Sequence, residues 1–212
     1  MAGTVSGTIF NDKNFDGVRK NTEGGVANQR VFIDSNFDGK RQSNEPLATT
    51  DSKGNYSFKN VPDGVARVHV LPTKDWRQST VSWPYLDVNI SAGSKSSGNN
   101  FGITNTAIIS GVTFKDVSQD GIRQQTETLF ANISVFIDKN GNKHWDAGEP
   151  KTTTSGPGLF YKFDGLAPGT YIVRIIVPST MKLTAGQAAY RKVTVTKGTV
   201  ASNRNWGLVH PT

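Results

Sequence analysis

The sequence predicts an all-β fold: two tandem antiparallel β-sandwiches of about seven short strands each. Three observations carry this. Apolar residues alternate with polar ones at a period of two, the mark of strands with one buried face. Turn residues punctuate these runs, and glycine fills 22 of the 212 positions. The chain also repeats itself, and no stretch has convincing helical periodicity.

The repeat sets the domains. Shifted by 104 residues, Ser6-Gly7 falls on Ser110-Gly111, and Asp12, Asp16, Gly17, Arg19 and Glu23 fall on Asp116, Asp120, Gly121, Arg123 and Glu127. Val31-Phe32-Ile33-Asp34 falls on Val135-Phe136-Ile137-Asp138 and Glu45-Pro46 on Glu149-Pro150. One inserted residue later, Tyr56-Ser57-Phe58 meets Tyr161-Lys162-Phe163, and Asn100-Phe101-Gly102 meets Asn205-Trp206-Gly207. Two modules are therefore assigned, 1–105 and 106–212. No Gly/Ser-rich or Pro-rich linker separates them, so a short, stiff joint is expected.

Taken in order, the first strand is read around Gly7 to Phe10, and its copy around Ser110 to Phe114. The second is clearest in module 2, where Ile133, Val135 and Ile137 alternate with Ser134 and Phe136. Ser52-Lys53-Gly54-Asn55 turns the chain into a strand with Tyr56 and Phe58 on one face. Pro62-Asp63-Gly64 leads to the next, with Val68 and Val70 inward and Arg67 and His69 on the polar side. Pro157-Gly158 and Pro168-Gly169 are turns of module 2.

Between strands lie four twelve-residue loops on one template: 12–23, 34–45, 116–127 and 138–149. Each has oxygen-bearing side chains at positions 1, 3 and 5 and Glu at position 12, and three have Gly at position 6. This is the calcium-loop pattern, in which a hard cation takes six to eight oxygens at about 2.3–2.6 Å. The ligands read from it are Asp12, Asn14, Asp16, Val18 and Glu23; Asp34, Asn36, Asp38, Lys40 and Glu45; Asp116, Ser118, Asp120, Ile122 and Glu127; and Asp138, Asn140, Asn142, His144, Asp146 and Glu149. Val18, Lys40, Ile122 and His144 serve through the position-7 carbonyl. Up to four calcium ions are expected. The fourth loop departs most: Gly141 stands at position 4 and Lys143 at position 6, with Asp146 at position 9 as a compensating ligand. Strand patterns flank every loop, which argues against helix–loop–helix hands. The loops hold 12 of the 17 acidic residues, so the rest of the surface is basic and the net charge of +7 does not by itself require an anionic partner.

Several functions are disfavoured. Without cysteine there is no disulfide scaffold and no thiolate metal site. No apolar run reaches the length of a membrane span, and the start, Met1-Ala2-Gly3-Thr4, lacks the features of a signal peptide. No nucleophile elbow is present and the three histidines are scattered, so no catalytic residue is assigned. Nothing suggests nucleic-acid readout. Trp76, Trp83 and Tyr85 crowd one segment of module 1, either as a ligand-binding platform or as a cap on the core.

The runs Ser-Gly-Thr-Ile-Phe-Asn-Asp-Lys-Asn-Phe-Asp-Gly from Ser6 and Gly-Asn-Tyr-Ser-Phe-Lys-Asn-Val from Gly54, with the closing Asn-Phe-Gly, resemble the B repeats of serine–aspartate repeat surface proteins. The resemblance covers nearly the whole chain. It implies calcium-binding prealbumin-like, immunoglobulin-like sandwiches related to collagen-adhesin B-type domains, strung as a stalk on exported bacterial surface proteins. The expected role is an extracellular, non-enzymatic, monomeric spacer whose partners are neighbouring modules. Two alternatives stand beside it: an adhesive module for surface glycan or host matrix protein, and an accessory domain pair of a secreted hydrolase.

Overall fold

A computed structural model of the chain describes residues 2–79 and 84–210. The chain divides into two compact units, 1–105 and 106–212. The first contains β1 (Gly3–Asn11), β2 (Arg30–Asp34), β3 (Leu47–Thr49), β4 (Asn55–Val61), β5 (Gly64–Leu71), β6 (Arg77–Gln78), β7 (Tyr85–Ile90), β8 (Lys95–Ser96) and β9 (Phe101–Thr104). The second repeats the series: β10 (Ala107–Lys115), β11 (Ser134–Asp138), β12 (Lys151–Thr153), β13 (Phe160–Leu166), β14 (Gly169–Ile175), β15 (Lys182–Leu183), β16 (Tyr190–Val195), β17 (Val200–Ala201) and β18 (Trp206–Val209). Each unit thus has seven strands of three or more residues and two of only two, and no helix occurs among the described residues.

Within each unit two sheets face one another. In the first they run β4-β1-β9-β6, with β8 also on β1, and β3-β2-β5-β7; in the second, β13-β10-β18-β15, with β17 on β10, and β12-β11-β14-β16. Most neighbours are antiparallel. The exceptions all involve the first strand, which runs parallel to the short β8 and to the last strand: Ile9 lies opposite Phe101 and Asn11 opposite Ile103, and β10 meets β17 and β18 in the same way. The inward residues of both sheets fill separate cores, with Val5, Ile9, Val31, Tyr56, Val68 and Ile103 in one and Ile109, Val135, Tyr161, Val173, Trp206 and Leu208 in the other.

The repeated motifs explain how the last strand finds its place. Thr8 N–H donates to Asn100 Oδ1 at 2.8 Å and Val112 N–H to Asn205 Oδ1 at 3.0 Å, so the closing asparagine docks on the first strand just before pairing begins. Tyr56 and Tyr161 donate their hydroxyls to the carbonyls of Asn99 and Arg204 at 2.5 and 2.6 Å. Gly7 lets the chains approach, since a β-carbon there would stand 1.9 Å from Asn99 O.

One residue departs from the alternation. His69, expected on a polar face, is buried at 7% exposure. Its ring stacks on Phe32 at 4.9 Å and lies 5.4 Å from Tyr85. The outer face of β5 is covered there by side chains of β2 and β7, so a strand position that faces away from the core is still withdrawn from water.

Candidate metal centres

Each loop begins where a strand ends. Asp34 and Asp138 are the last residues of β2 and β11, and Asp12 and Asp116 directly follow β1 and β10. The first carboxylate is therefore carried on a rigid element. Beyond it the backbone is left-handed at positions 4 and 6 in all four loops: Phe15 and Gly17, Phe37 and Gly39, Gln119 and Gly121, Gly141 and Lys143. This curl aims the position-6 N–H back at the first carboxylate. Gly17, Gly39 and Gly121 donate to Asp12, Asp34 and Asp116 at 2.8–2.9 Å, and Lys143 to Asp138 at 3.2 Å. Loop 138–149 keeps the turn by exchanging which of the two positions is glycine, at the cost of a left-handed lysine (φ 73°).

The position-12 glutamate straps the loop shut. Glu23 accepts from the N–H of Lys13 and Lys20, Glu45 from Ser35 and Gln42, Glu127 from Val117 and Gln124, and Glu149 from Lys139 and Asp146. These four are the only glutamates in the chain.

A further contact, unforeseen from the loop template, fixes the first carboxylate from outside. Its Oδ2 takes a hydrogen bond from Ser79 in loop 12–23 (2.6 Å) and from Thr184 in loop 116–127 (2.7 Å). In loop 34–45 the same oxygen lies 3.2 Å from His69 Nε2, and in loop 138–149 it is 2.5 Å from Arg174 Nε. The repeat makes these partners equivalent in pairs: Ser79 with Thr184 and His69 with Arg174. The glycine of the closing Asn-aromatic-Gly motif leaves the necessary space. A β-carbon on Gly102 would lie 2.8 Å from Asp12 Oδ2, and one on Gly207 2.6 Å from Asp116 Oδ2.

Positions 1 and 12 are buried in every loop, and these eight carboxylates are the only buried acids among the described residues. Ion pairs reach just two of them, Asp34 through His69 and Asp138 through Arg174, and Arg67, across from Asp34 on β5, adds its charge near the first of these. Burial holds His69 below its ordinary value against the pull of Asp34. Burial pushes Asp138 up, but bonds from Arg174, Gly141 and Lys143 outweigh it and leave that carboxyl below the usual range. Asp116 behaves likewise, with Thr184, Gly121 and Ser118 as donors. The exposed position-5 acids Asp16 and Asp38 are lowered chiefly by the N–H of Val18 and Lys40.

Loops 12–23, 34–45 and 116–127 thus bury carboxylate pairs that are satisfied by uncharged donors. Each carboxylate oxygen has a second lone pair beyond the one an N–H occupies, and buried negative charge calls for a counter-charge. A hard divalent cation fits this oxygen-only donor set. Acidic and histidine side chains do not close a cage alone, for among the described residues no three of them gather tightly enough to hold an ion. Asn14, Asn36, Ser118 and the position-7 carbonyls would have to contribute. Loop 138–149 fits less well, since Arg174 already neutralises its first carboxylate.

Comparison with known sequences matches the model of the SdrD B-like domain at residues 3–104 and again at 107–204. The chain belongs to the SdrD B-like domain family. Relatives of these B-like modules include serine-aspartate repeat-containing protein I of Staphylococcus saprophyticus, 26% identical over 198 residues, covering 83% of this chain and 10% of the relative. Another is serine-aspartate repeat-containing protein F of Staphylococcus epidermidis, 26% identical over 186 residues, covering 82% and 11%. Colossin-A of Dictyostelium discoideum is 28% identical over 145 residues, covering 63% and 1%. The chain spans about a tenth of the length of the serine-aspartate repeat proteins it matches. Among solved structures, the minor pilin GBS52 of Streptococcus agalactiae aligns over 100% of this chain and 98% of its own, with 15% identity and a TM-score of 0.37. Serine-aspartate repeat proteins are cell-wall surface proteins of Gram-positive bacteria.

In this B-like pair the aromatic segment of module 1 divides. Trp76 is partly buried and packs on the core, while Tyr85 lies over the Arg67 guanidinium at 3.9 Å. Trp83 lies outside the described residues. Of the residues that shape the centres, Ser79, Thr184, Arg174, Gly102 and Gly207 were invisible to the loop template. The register of the repeat was the available signal, because it pairs each of them with the residue at the same place in the other module.

Proposed function

We propose that this chain is a pair of calcium-stiffened spacer modules in the stalk of a surface protein. The observation that carries the reading is the set of buried carboxylate pairs in loops 12–23, 34–45 and 116–127, hydrogen-bonded through uncharged donors, with no lysine or arginine in an ion pair to any of them among the described residues. The residues at positions 1, 3, 5, 7 and 12 would hold calcium, which would supply positive charge beside the buried carboxylates. The chain's own residues do the rest. Strand ends present the first carboxylate, Ser79 and Thr184 hold its Oδ2 aside in loops 12–23 and 116–127, and the glutamate strap closes each loop. The module needs no catalytic group for this role.

The test is thermal unfolding in calcium, magnesium and EDTA. With free calcium at about 100 times the Kd, each occupied site stabilises its module by about 2.7 kcal/mol. A clear rise in Tm is expected with calcium and a much smaller one with magnesium, which demands a tighter octahedral shell. Equal melting in EDTA and calcium would remove the metal from this reading.

A further inference from the structure

We infer that loop 138–149 is closed by the chain's own cation: Arg174 holds the place of positive charge that a metal would otherwise fill, and module 2 orders this loop without calcium. The inference rests on the calcium reading of the other three loops for its contrast, though not for the role of Arg174 itself.

Three features of the loop point the same way. Arg174 sits on β14 opposite Phe136 of β11, and its Nε reaches Asp138 Oδ2 at 2.5 Å. The two side chains are 13% and 0% exposed, so water screens the pair little. An arginine side chain brings a fixed positive charge and a planar fork of donors. In module 1 the equivalent residue is His69, whose ring makes no hydrogen bond through Nε2 although it lies near Asp34.

The second feature is an exchange of chemistry between positions 5 and 9. In the other loops an acid at position 5 faces a donor at position 9: Asp16 with Lys20 at 3.0 Å, Asp38 with Gln42 at 2.7 Å and Asp120 with Gln124 at 2.8 Å. In loop 138–149 the acid stands at position 9, and Asp146 Oδ2 accepts from the side-chain amides of both Asn142 (2.5 Å) and Asn140 (2.7 Å). Side chains at positions 3, 5 and 9 are linked in the other loops too, through Asn14, Asn36 and Ser118, but only here does the position-9 side chain accept from both of the others.

Third, the closing end has its own fastening. The Trp145 indole donates to Glu149 O at 3.1 Å, and the Lys151 ammonium lies 4.0 Å from the centre of that ring. A divalent ion entering here would displace amide donors and meet a buried guanidinium on its first ligand, which repels it. Lys143 at position 6 adds a further positive charge to the loop.

Hydrogen exchange of the full chain, read by mass spectrometry in EDTA and in calcium, tests this. In the wild type, peptides covering 12–23, 34–45 and 116–127 should exchange about tenfold or more slowly in calcium, while 138–149 is equally protected in both. Arg174→Gln should speed exchange of 138–149 in EDTA by about tenfold or more, with the β10 and β13 peptides reporting whether the module stays folded. Arg174→Lys keeps the charge and should remain near wild type, which preserves the test if the glutamine variant unfolds. Protection of 138–149 that rises with calcium in step with the other loops would overturn the inference, as would an unchanged EDTA rate in Arg174→Gln or a loop opened by Arg174→Lys. If no loop responds to calcium, the metal reading of the other three fails, and the Arg174 variants in EDTA still decide the role of the guanidinium.

Discussion

At Gly102 the molecule has no room for one methyl group. A β-carbon there would press on Ser79 Oγ at 2.6 Å and Asp12 Oδ2 at 2.8 Å, and Gly207 stands in the same relation to Thr184 and Asp116. These oxygens are buried and hydrogen-bonded to each other, so neither swings aside freely. Gly102→Ala should therefore cost about 1–3 kcal/mol, the usual range for overpacking a filled site, and should shift the first loop of module 1. Urea unfolding measures the cost, and calcium titration by calorimetry reads the loss of about one site. A variant with wild-type stability and stoichiometry would show that this close packing does not matter. The sequence shows this glycine only as part of a repeated Asn-aromatic-Gly marker. Its reason lies in a hydroxyl and a carboxylate that are distant in sequence, and no local pattern links them. The loop ligands were legible for the opposite reason, because twelve consecutive residues contain the whole template.

At the level of strands, the pairing of β5 with β7 carries a contact that module 2 lacks. Arg67 lies opposite Asp87 and donates to both of its carboxylate oxygens at 2.8 Å, whereas the corresponding pair in module 2 is Ile172 and Lys192. The Arg67 bond holds Asp87 below the usual carboxylate range. A carboxyl depressed in the folded state stabilises above its unfolded value, and that contribution is lost as pH falls through the folded value. Asp87→Asn should thus weaken module 1 near neutral pH and make no difference once the wild-type carboxyl is protonated. Denaturation midpoints from pH 7 down to about 2 check this, and a deficit that persists unchanged at the acid end would contradict it. Strands such as β4, with Tyr56 and Phe58 inward, were readable because period two needs only a few residues. The two-residue strands β6, β8, β15 and β17 are too short to show a period. The direction in which β9 meets β1 was equally hidden, since alternation records which face is buried and not which way a neighbour runs. His69 misled for a related reason: the alternation places it outward, and a tertiary cover then buries it.

For the molecule as a whole, the two cores share no residue, and each module contains its own complete pair of sheets. Residues 1–105 and 106–212 expressed separately should each keep a β-rich circular dichroism spectrum and melt cooperatively. On the calcium reading, Ca2+ should raise the Tm of the first more than that of the second, because module 1 has two loops whose first carboxylate lacks a lysine or arginine ion pair and module 2 has one. A larger shift in module 2 would reverse that assignment. The side-by-side, parallel course of β1 and β9 has a mechanical consequence. Tension that enters at the start of a module and leaves at its end pulls these two strands past each other lengthwise. Their hydrogen bonds are then loaded in shear and must fail together, whereas a hairpin such as β2–β3 pulled at its open end unzips one bond at a time. Asp12 sits on this shear line, with its own N–H bonded to Ile103 O at 2.9 Å, so whatever steadies the first loop also reinforces the seam that bears the force. In single-molecule extension, a module held by its two ends should rupture at several times the force needed when it is held across β2 and β3. Such a part suits a tether under flow, which yields late and all at once instead of paying out gradually.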